Sequence, residues 1–511
     1  MKFDTLVIGA GSAGAVVAAR VSENPERQVA LVEAGPDYPD FALLPAPLKF
    51  GNASAADITT DTHQWGFSAR ATPAQDLAPL PRGRVTGGTS AINGQIFARG
   101  LPEDFDRWAE LGNLGWSFAD VSPVYRRLET DLDFDDEHHG GSGPVQVHRY
   151  PRETWLPPQV AFYEACLNAG YAEGPDMNAP LSTGVGPVPF NNVGGIRASS
   201  ALTHLDPVRS RENLHVIPET VVRRLQITGV RVTGVQVVGA SGVEVIEADE
   251  VVLAAGSIGS PHLLLLSGVG PADELRAAGI EPVVGLRGVG SNLRDHQVVD
   301  LWWERADDVA IPPDSPVVQI ALRLTATGSS DRNNLKVTIR NRLTIPGIDS
   351  RLASSTISIV PGLELAESRG TLKITSADHR QQPRVDLNFL ESERDRAELR
   401  EAVLRSLELA NDGAFSKLIG ERLSPKAEEI RTPSSLDTWL TGNVRTSHHL
   451  CGTCKMGAAD DGEAVVDQEC RVYGIENLRV ADASICPNVV RANLNATAMM
   501  IGERVADFMT R

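Results

Sequence analysis

The run Ser447-His448-His449-Leu450-Cys451-Gly452-Thr453 stands upstream of a second polar pair in Asn493-Leu494-Asn495-Ala496-Thr497-Ala498. An imidazole with an ordinary pKa of about 6.5 is largely neutral at pH 7 and can accept a proton. An amide beside it can hold the oxygen that loses that proton. Because the chain opens on a glycine-rich turn, base and amide would meet over a bound redox cofactor. Chemistry of that kind takes the hydroxyl proton of an alcohol while its carbon gives up a hydride.

The elements that must position these groups begin at the N-terminus. Phe3 to Ile8 is an apolar run of strand length, ending at Gly9-Ala10-Gly11-Ser12-Ala13-Gly14. Ala15 to Arg20 follows with a helical pattern, then a second strand, Gln28 to Val32, ending at Glu33. Gly9 permits the tight turn, Gly11 lets the backbone approach a pyrophosphate, and Gly14 lets helix and strand pack closely. Glu33 stands where an acid accepts hydrogen bonds from a ribose diol. The unit predicts a bound dinucleotide without separating NAD from FAD. Further on, two alternating stretches, Val221 to Ile227 and Val230 to Val238, precede the buried run Val251 to Ala254. A strand returning to the first site after a small meander is expected of FAD enzymes.

Two later segments narrow the class. One is Gly83-Arg84-Val85-Thr86-Gly87-Gly88-Thr89-Ser90-Ala91-Ile92-Asn93-Gly94-Gln95-Ile96-Phe97, and the other runs from Gly256 through Ser260-Pro261 to Gly270. With Gly474 to Ser484 and Asn495 to Arg504 they resemble, in order, the signatures of the glucose-methanol-choline (GMC) oxidoreductases. The resemblance runs from the first strand to the last helix. It implies an α/β fold: a Rossmann-like FAD-binding domain of the two-dinucleotide type, with an interleaved substrate domain on an antiparallel sheet. The expected division is 1–148, 191–296 and 447–511 for FAD, and 149–190 with 297–446 for substrate. In that second part Asn334 to Arg342, Thr356 to Val360 and Gly370 to Ile374 alternate as strands do, and Glu393 to Asn411 reads as an amphipathic helix.

The resemblance also implies the site. FAD would lie against Gly9, Gly11, Ser12, Ala13, Gly14, Glu33, Ala34, Arg84, Gly87, Gly88, Thr89, Ser90, Asn93, Gly94, Ile96, Val221, Ala254, Asp482, Asn495 and Ala496. For Asp482 the competing reading is a helix N-cap. His449 would be the base and Asn495 the amide that holds the alcohol oxygen, with hydride passing to flavin N5. His448 and Asn493 are their rivals. His448 is expected to point the other way on an extended segment, and Asn495 is matched to the family's position before the closing helix. Trp65, Phe67, Phe97 and Val360 are candidates for the pocket wall. Ile92 occupies the position at which choline oxidase-like members carry a histidine bonded to FAD, so the flavin is expected to be non-covalent. Cys451 and Cys454 form a CxxC beside His449, which admits a thiol relay, although cysteines stand in this loop in choline dehydrogenase-like relatives too.

The expected activity is oxidation of a primary or secondary alcohol to an aldehyde or ketone. The electron acceptor is open between O2, a quinone and a mycofactocin-type carrier. A hydroxynitrile lyase with a redox-idle flavin on the same fold is the alternative. Composition bounds the rest. At 511 residues two domains are the natural prior, and 42% hydrophobic with 22% charged residues is ordinary for a globular protein. A net charge of -18 argues against nucleic acid or anionic membrane as partner. Five cysteines make no disulfide framework. No apolar run reaches the roughly 20 residues of a membrane span, and no leader is visible, so a cytoplasmic protein is expected. The acidic run Glu129 to Glu137 reads as a solvated loop, and no metal site is expected.

Overall fold

In the computed structural model, which describes residues 2–51, 62–240, 242–312, 314–342, 352 and 354–511, the opening strand Lys2–Ile8 is flanked on both sides. It runs parallel to Val29–Val32 and to the long strand Gly242–Leu253. Leu214–Ile217 extends this parallel set at one edge, and Leu478–Val480 joins it through Gly242–Leu253. Sheets of this kind are covered on both faces, which is why Leu6, Val7 and Leu31 are apolar in succession and fully buried. The meander arrives as expected: Val221–Thr228 and Arg231–Gly239 pair antiparallel and lead into Gly242–Leu253. The first helix, Gly14–Val21, lies so close to its strand that a Cβ on Gly14 would stand 1.9 Å from the Gly9 carbonyl oxygen. The closing helix, Leu494–Met509, crosses that helix at Gly502, where a Cβ would stand 2.7 Å from the Ala13 oxygen.

A second sheet is antiparallel throughout. In spatial order its strands are Ile419–Ser424, Leu301–Arg305, Thr356–Leu363, Leu335–Arg340, Ile320–Leu324 and Gly184–Pro187. The short strands Gln297–Val298 and Arg445–Thr446 pair with each other, and the former also pairs with the end of Thr356–Leu363. This stitch brings the chain just before His449 to the rim of the second sheet. Along Leu335–Arg340 the burial alternates: Leu335, Val337 and Ile339 are fully buried, whereas Lys336, Thr338 and Arg340 face the other side. Helix Glu393–Ala410, amphipathic as expected, packs on this sheet.

Thr371–Lys373 is a strand, as expected, and pairs with Arg384–Asp386 in a separate two-stranded ribbon. One expectation is corrected. The acidic run is solvated only in part, since Glu129 and Asp131 are buried in ion pairs with Arg99 and Arg149. No helix among the described residues is long and apolar enough to cross a membrane.

Candidate active site

The ends of the first sheet and the inward face of the second enclose one cavity of about 900 Å³. It is lined at one end by Gly9, Gly11, Ser12, Ala13, Glu33, Ala34, Arg84, Gly88, Thr89, Asn93, Gly94, Ile96, Val221, Ala254, Asp482 and Asn495. Gly14, Gly87, Ser90 and Ala496 do not reach it. Gly14 serves the helix-strand contact, and Gly87 donates its N–H to the Ala10 carbonyl at 2.7 Å. The Ser90 hydroxyl donates to the Gly87 carbonyl and accepts from the Ser200 amide, so it is spent inside the loop. Ala496 is fully buried.

The shape at this end fits a dinucleotide. Gly11 and Gly88 face each other so closely that a Cβ on Gly88 would lie 2.6 Å from the Gly11 Cα. The Glu33 carboxylate ends the second strand and accepts from the Ala10 and Gly35 amides, each at 2.9 Å. Burial pushes its pKa up to about 7, against the pull of those backbone N–H groups. Asp482 accepts from Gly256 N–H and the Ser260 hydroxyl, and also from Ser484 N–H. The cap and the wall are therefore both Asp482. Ile92 is fully buried in a small apolar cluster with Leu48 and Val85 and is absent from the lining.

At the other end His449 and Asn493 stand together. The Nδ2 of Asn493 lies 3.0 Å from His449 Nε2, and His449 Nδ1 lies 2.8 Å from Nδ1 of His296. The remaining nitrogen of His296, Nε2, is 2.9 Å from the Val490 carbonyl oxygen. A carbonyl only accepts, which assigns the hydrogens along the chain. His296 carries its hydrogen on Nε2 and accepts at Nδ1, so His449 donates from Nδ1. The lone pair of His449 Nε2 is then left facing Asn493 and the cavity. Asp295 holds both rings in place, accepting from the His296 and His449 backbone N–H groups and from the Thr446 hydroxyl. Behind His296 lies Glu364, 3.9 Å from Nδ1, and Lys336 donates to that carboxylate at 2.8 Å. Burial is the largest cause that holds the His449 pKa well below its ordinary value, and the nearby Lys336 cation acts in the same direction. The imidazole is a neutral acceptor.

Asn495 sits elsewhere. Its Oδ1 accepts from the Ser12 hydroxyl at 2.8 Å, tying the closing helix to the fingerprint turn. Asn493 is the extended residue that precedes this helix, whereas Asn495 lies inside its first turn. Both side chains line the cavity, Asn493 beside His449 and Asn495 beside Ser12. His448 does not simply alternate with His449. It occupies a left-handed turn, with φ 64°, and both histidines reach the cavity. Trp65, Phe67 and Val360 line the cavity; Phe97 is buried in the core instead. His296, Asp295, Glu364 and Lys336 were not singled out in the sequence. The only signal was a charged and imidazole-bearing run, Arg294-Asp295-His296, entering a strand. Both thiols of the CxxC are buried and free, and burial drives that of Cys454 well above its ordinary pKa, which disfavours the relay.

A glycine-lined cradle on a parallel sheet, roofed by an antiparallel sheet, with a buried imidazole where the two meet, fits a flavoprotein oxidoreductase. The chain belongs to the GMC oxidoreductase family, whose N-terminal model matches residues 3–298 and whose C-terminal model matches 366–502. It is 35% identical to an oxygen-dependent choline dehydrogenase of Vibrio vulnificus (strain YJ016), covering 99% of this chain and 94% of that protein. One from Brucella suis biovar 1 (strain 1330) is 34% identical, covering 99% and 95%. Among solved structures, pyridoxine 4-oxidase from Mesorbium loti superposes with a TM-score of 0.91 at 30% identity, covering 99% of this chain and 98% of that one. A formate oxidase with a TM-score of 0.90 at 24% identity, covering 100% and 98%, shares the fold. The protein is an FAD-dependent oxidoreductase.

Proposed function

We propose that the protein oxidises a primary or secondary alcohol to the aldehyde or ketone, with His449 as the base and Asn493 as the amide that holds the alcohol oxygen. The observation that carries this reading is the unprotonated Nε2 of His449 at the cavity wall, which accepts from Asn493 Nδ2 at 3.0 Å. Bound FAD supplies the acceptor for the two electrons and the hydrogen that leave the carbinol carbon. His449 Nε2 takes the hydroxyl proton, and Asn493 Nδ2 donates to the oxygen that loses it. His296 accepts from His449 Nδ1 throughout, which keeps the ring oriented. Asn495 is reassigned from the substrate oxygen to the cofactor side, beside Ser12. The segments that build the two sheets support the division into 1–148, 191–296 and 447–511 against 149–190 and 297–446.

The test is an alcohol panel mixed anaerobically with the yellow enzyme. At least one alcohol should bleach the flavin, and parallel assays with O2 and with an artificial dye assign the acceptor. Cleavage of a cyanohydrin with no bleaching by any alcohol would replace this reading with a lyase.

A further inference from the structure

We infer that Glu129, Asp131 and His139, with Asp176 beside them, bind a divalent transition-metal ion behind the cavity wall, a departure from the expectation of no metal site. One ligand atom from each of the first three lies within 4.8 Å of the others, and all three residues are buried. Glu129 and Asp131 belong to the short strand Glu129–Asp131 that follows helix Phe118–Leu128. His139 stands at the end of the acidic turn after that strand, and Asp176 comes from the segment before strand Gly184–Pro187. The cluster is separate from the active site, since none of the four residues lines the cavity. Arg149, which pairs with Asp131 and Asp176, immediately precedes the lining residue Tyr150.

Acidic clusters are common, and the imidazole is what marks this one. The His139 side chain is 1% exposed and stacks on Phe134. Its Nδ1 lies 3.1 Å from Asp136 Oδ1, and a carboxylate only accepts, so Nδ1 carries the ring hydrogen. The Nε2 lone pair is thereby aimed inward, with Asp176 Oδ2 at 3.2 Å and Asp131 Oδ2 at 3.8 Å. Two ligands held at about 2.1 Å by one tetrahedral ion stand roughly 3.4 Å apart, so these separations suit groups that share a cation. Among the described residues, neither His139 Nε2 nor Asp176 Oδ2 has a hydrogen-bond partner, and Glu129 Oε2 is likewise buried without one. Buried acceptors that face one another are costly unless a positive charge lies between them. The arginines use other atoms: Arg99 meets Glu129 through Oε1, and Arg149 reaches Asp176 through Oδ1. Asp131 Oδ2 accepts from Arg149 Nη1 and, with two lone pairs, keeps one for a cation. Of the groups in direct contact, the carboxylates of Glu129, Asp131, Asp133, Asp136 and Asp176 outnumber Arg99 and Arg149, so the local charge favours a dication. An imidazole with carboxylates suits Zn2+ or Mn2+ better than Ca2+ or Mg2+, which take oxygen ligands. Asp136 is the outer carboxylate that orients a ligating imidazole.

The experiment uses tag-free holoenzyme that has been treated with EDTA and passed through gel filtration. ZnCl2 or MnCl2 is added, loose metal is removed by a second filtration, and metal per chain and melting temperature are measured. CaCl2 and MgCl2 are run in parallel. About one Zn2+ or Mn2+ per chain should be retained, and the melting temperature should rise with metal concentration. His139→Gln should lose the ion. Asp136→Asn, at a half-exposed position outside the ligand set, should weaken binding by about 10- to 100-fold. Should His139→Gln fail to fold, Asp136→Asn carries the comparison. Three results would each overturn the inference: no metal retained and an unmoved melting temperature with both Zn2+ and Mn2+; undiminished binding in a folded variant, which would place the ion elsewhere, the active-site imidazoles included; or preference for Ca2+ or Mg2+. His139 would then be an imidazolium paired with Asp136 and Asp176. None of these outcomes bears on the alcohol-oxidising reading.

Discussion

The His449 ring is useful because every nitrogen around it has an assigned partner. General acid-base catalysis contributes roughly 10²- to 10⁴-fold, so His449→Ala should slow anaerobic flavin reduction on that scale while the protein stays yellow. Asn493→Ala should cost about 10²-fold through loss of one donor to the developing oxyanion. Asn495→Ala should alter flavin retention more than the reduction rate, since its amide pairs with Ser12. Stopped-flow rates on the three variants decide this, and a larger loss for Asn495→Ala than for Asn493→Ala would restore the assignment made from sequence. The pH profile follows from the direction of the shift. The base must be neutral to act, and burial lowers its pKa, so the neutral form persists as pH falls through the ordinary histidine range. The acid limb of the reduction rate against pH should therefore lie below about 6.5; an inflection above that value would mean that a different group titrates.

At the scale of elements, the cofactor end depends on turns that have no side chains. Gly11 has an open surround in the protein, its nearest neighbour to an added Cβ being the Gly88 Cα at 3.9 Å. Gly11→Ala should thus fold with the thermal stability of the flavin-free parent, yet its methyl group would occupy the face on which the dinucleotide lies. Loss of flavin content at unchanged apoprotein melting temperature is the expected pair of results. Full flavin loading of Gly11→Ala would contradict that placement. Glu33→Ala should likewise weaken FAD retention, because it removes the carboxylate that ends the second strand, without changing the reduction rate of enzyme that remains loaded.

For the whole molecule, the cavity proposed to hold FAD lies between two sheets that are drawn from interleaved parts of the chain. A ligand that binds only the folded state stabilises it by about 2.7 kcal/mol at a hundredfold excess over its Kd. Adding FAD to stripped protein should raise the melting temperature. With Ile92 buried away from the cavity, the flavin has no attachment at that position. Acid precipitation should leave the yellow colour in the supernatant; colour in the pellet would show a covalent link elsewhere.

Local constraints were legible in the sequence: the glycines of the fingerprint, Glu33 after its strand, the meander, the amphipathic helix and the order of the family's motifs. Each depends on residues within one turn or one strand, where backbone sterics and side-chain period leave few choices. Tertiary structure decided what neighbours across the fold would do. Asn493 and Asn495 differ by two positions and one helix start, and only the docking of that helix shows which amide meets His449. Ser90 looked like a cofactor ligand until the fold gave its hydroxyl to Gly87 and Ser200. His296 stands just before Gln297–Val298, Glu364 just after Thr356–Leu363 and Lys336 within Leu335–Arg340. No local pattern records their meeting, because it arises from the stitch of Gln297–Val298 to Arg445–Thr446 and from the face that Leu335–Arg340 turns to the cavity.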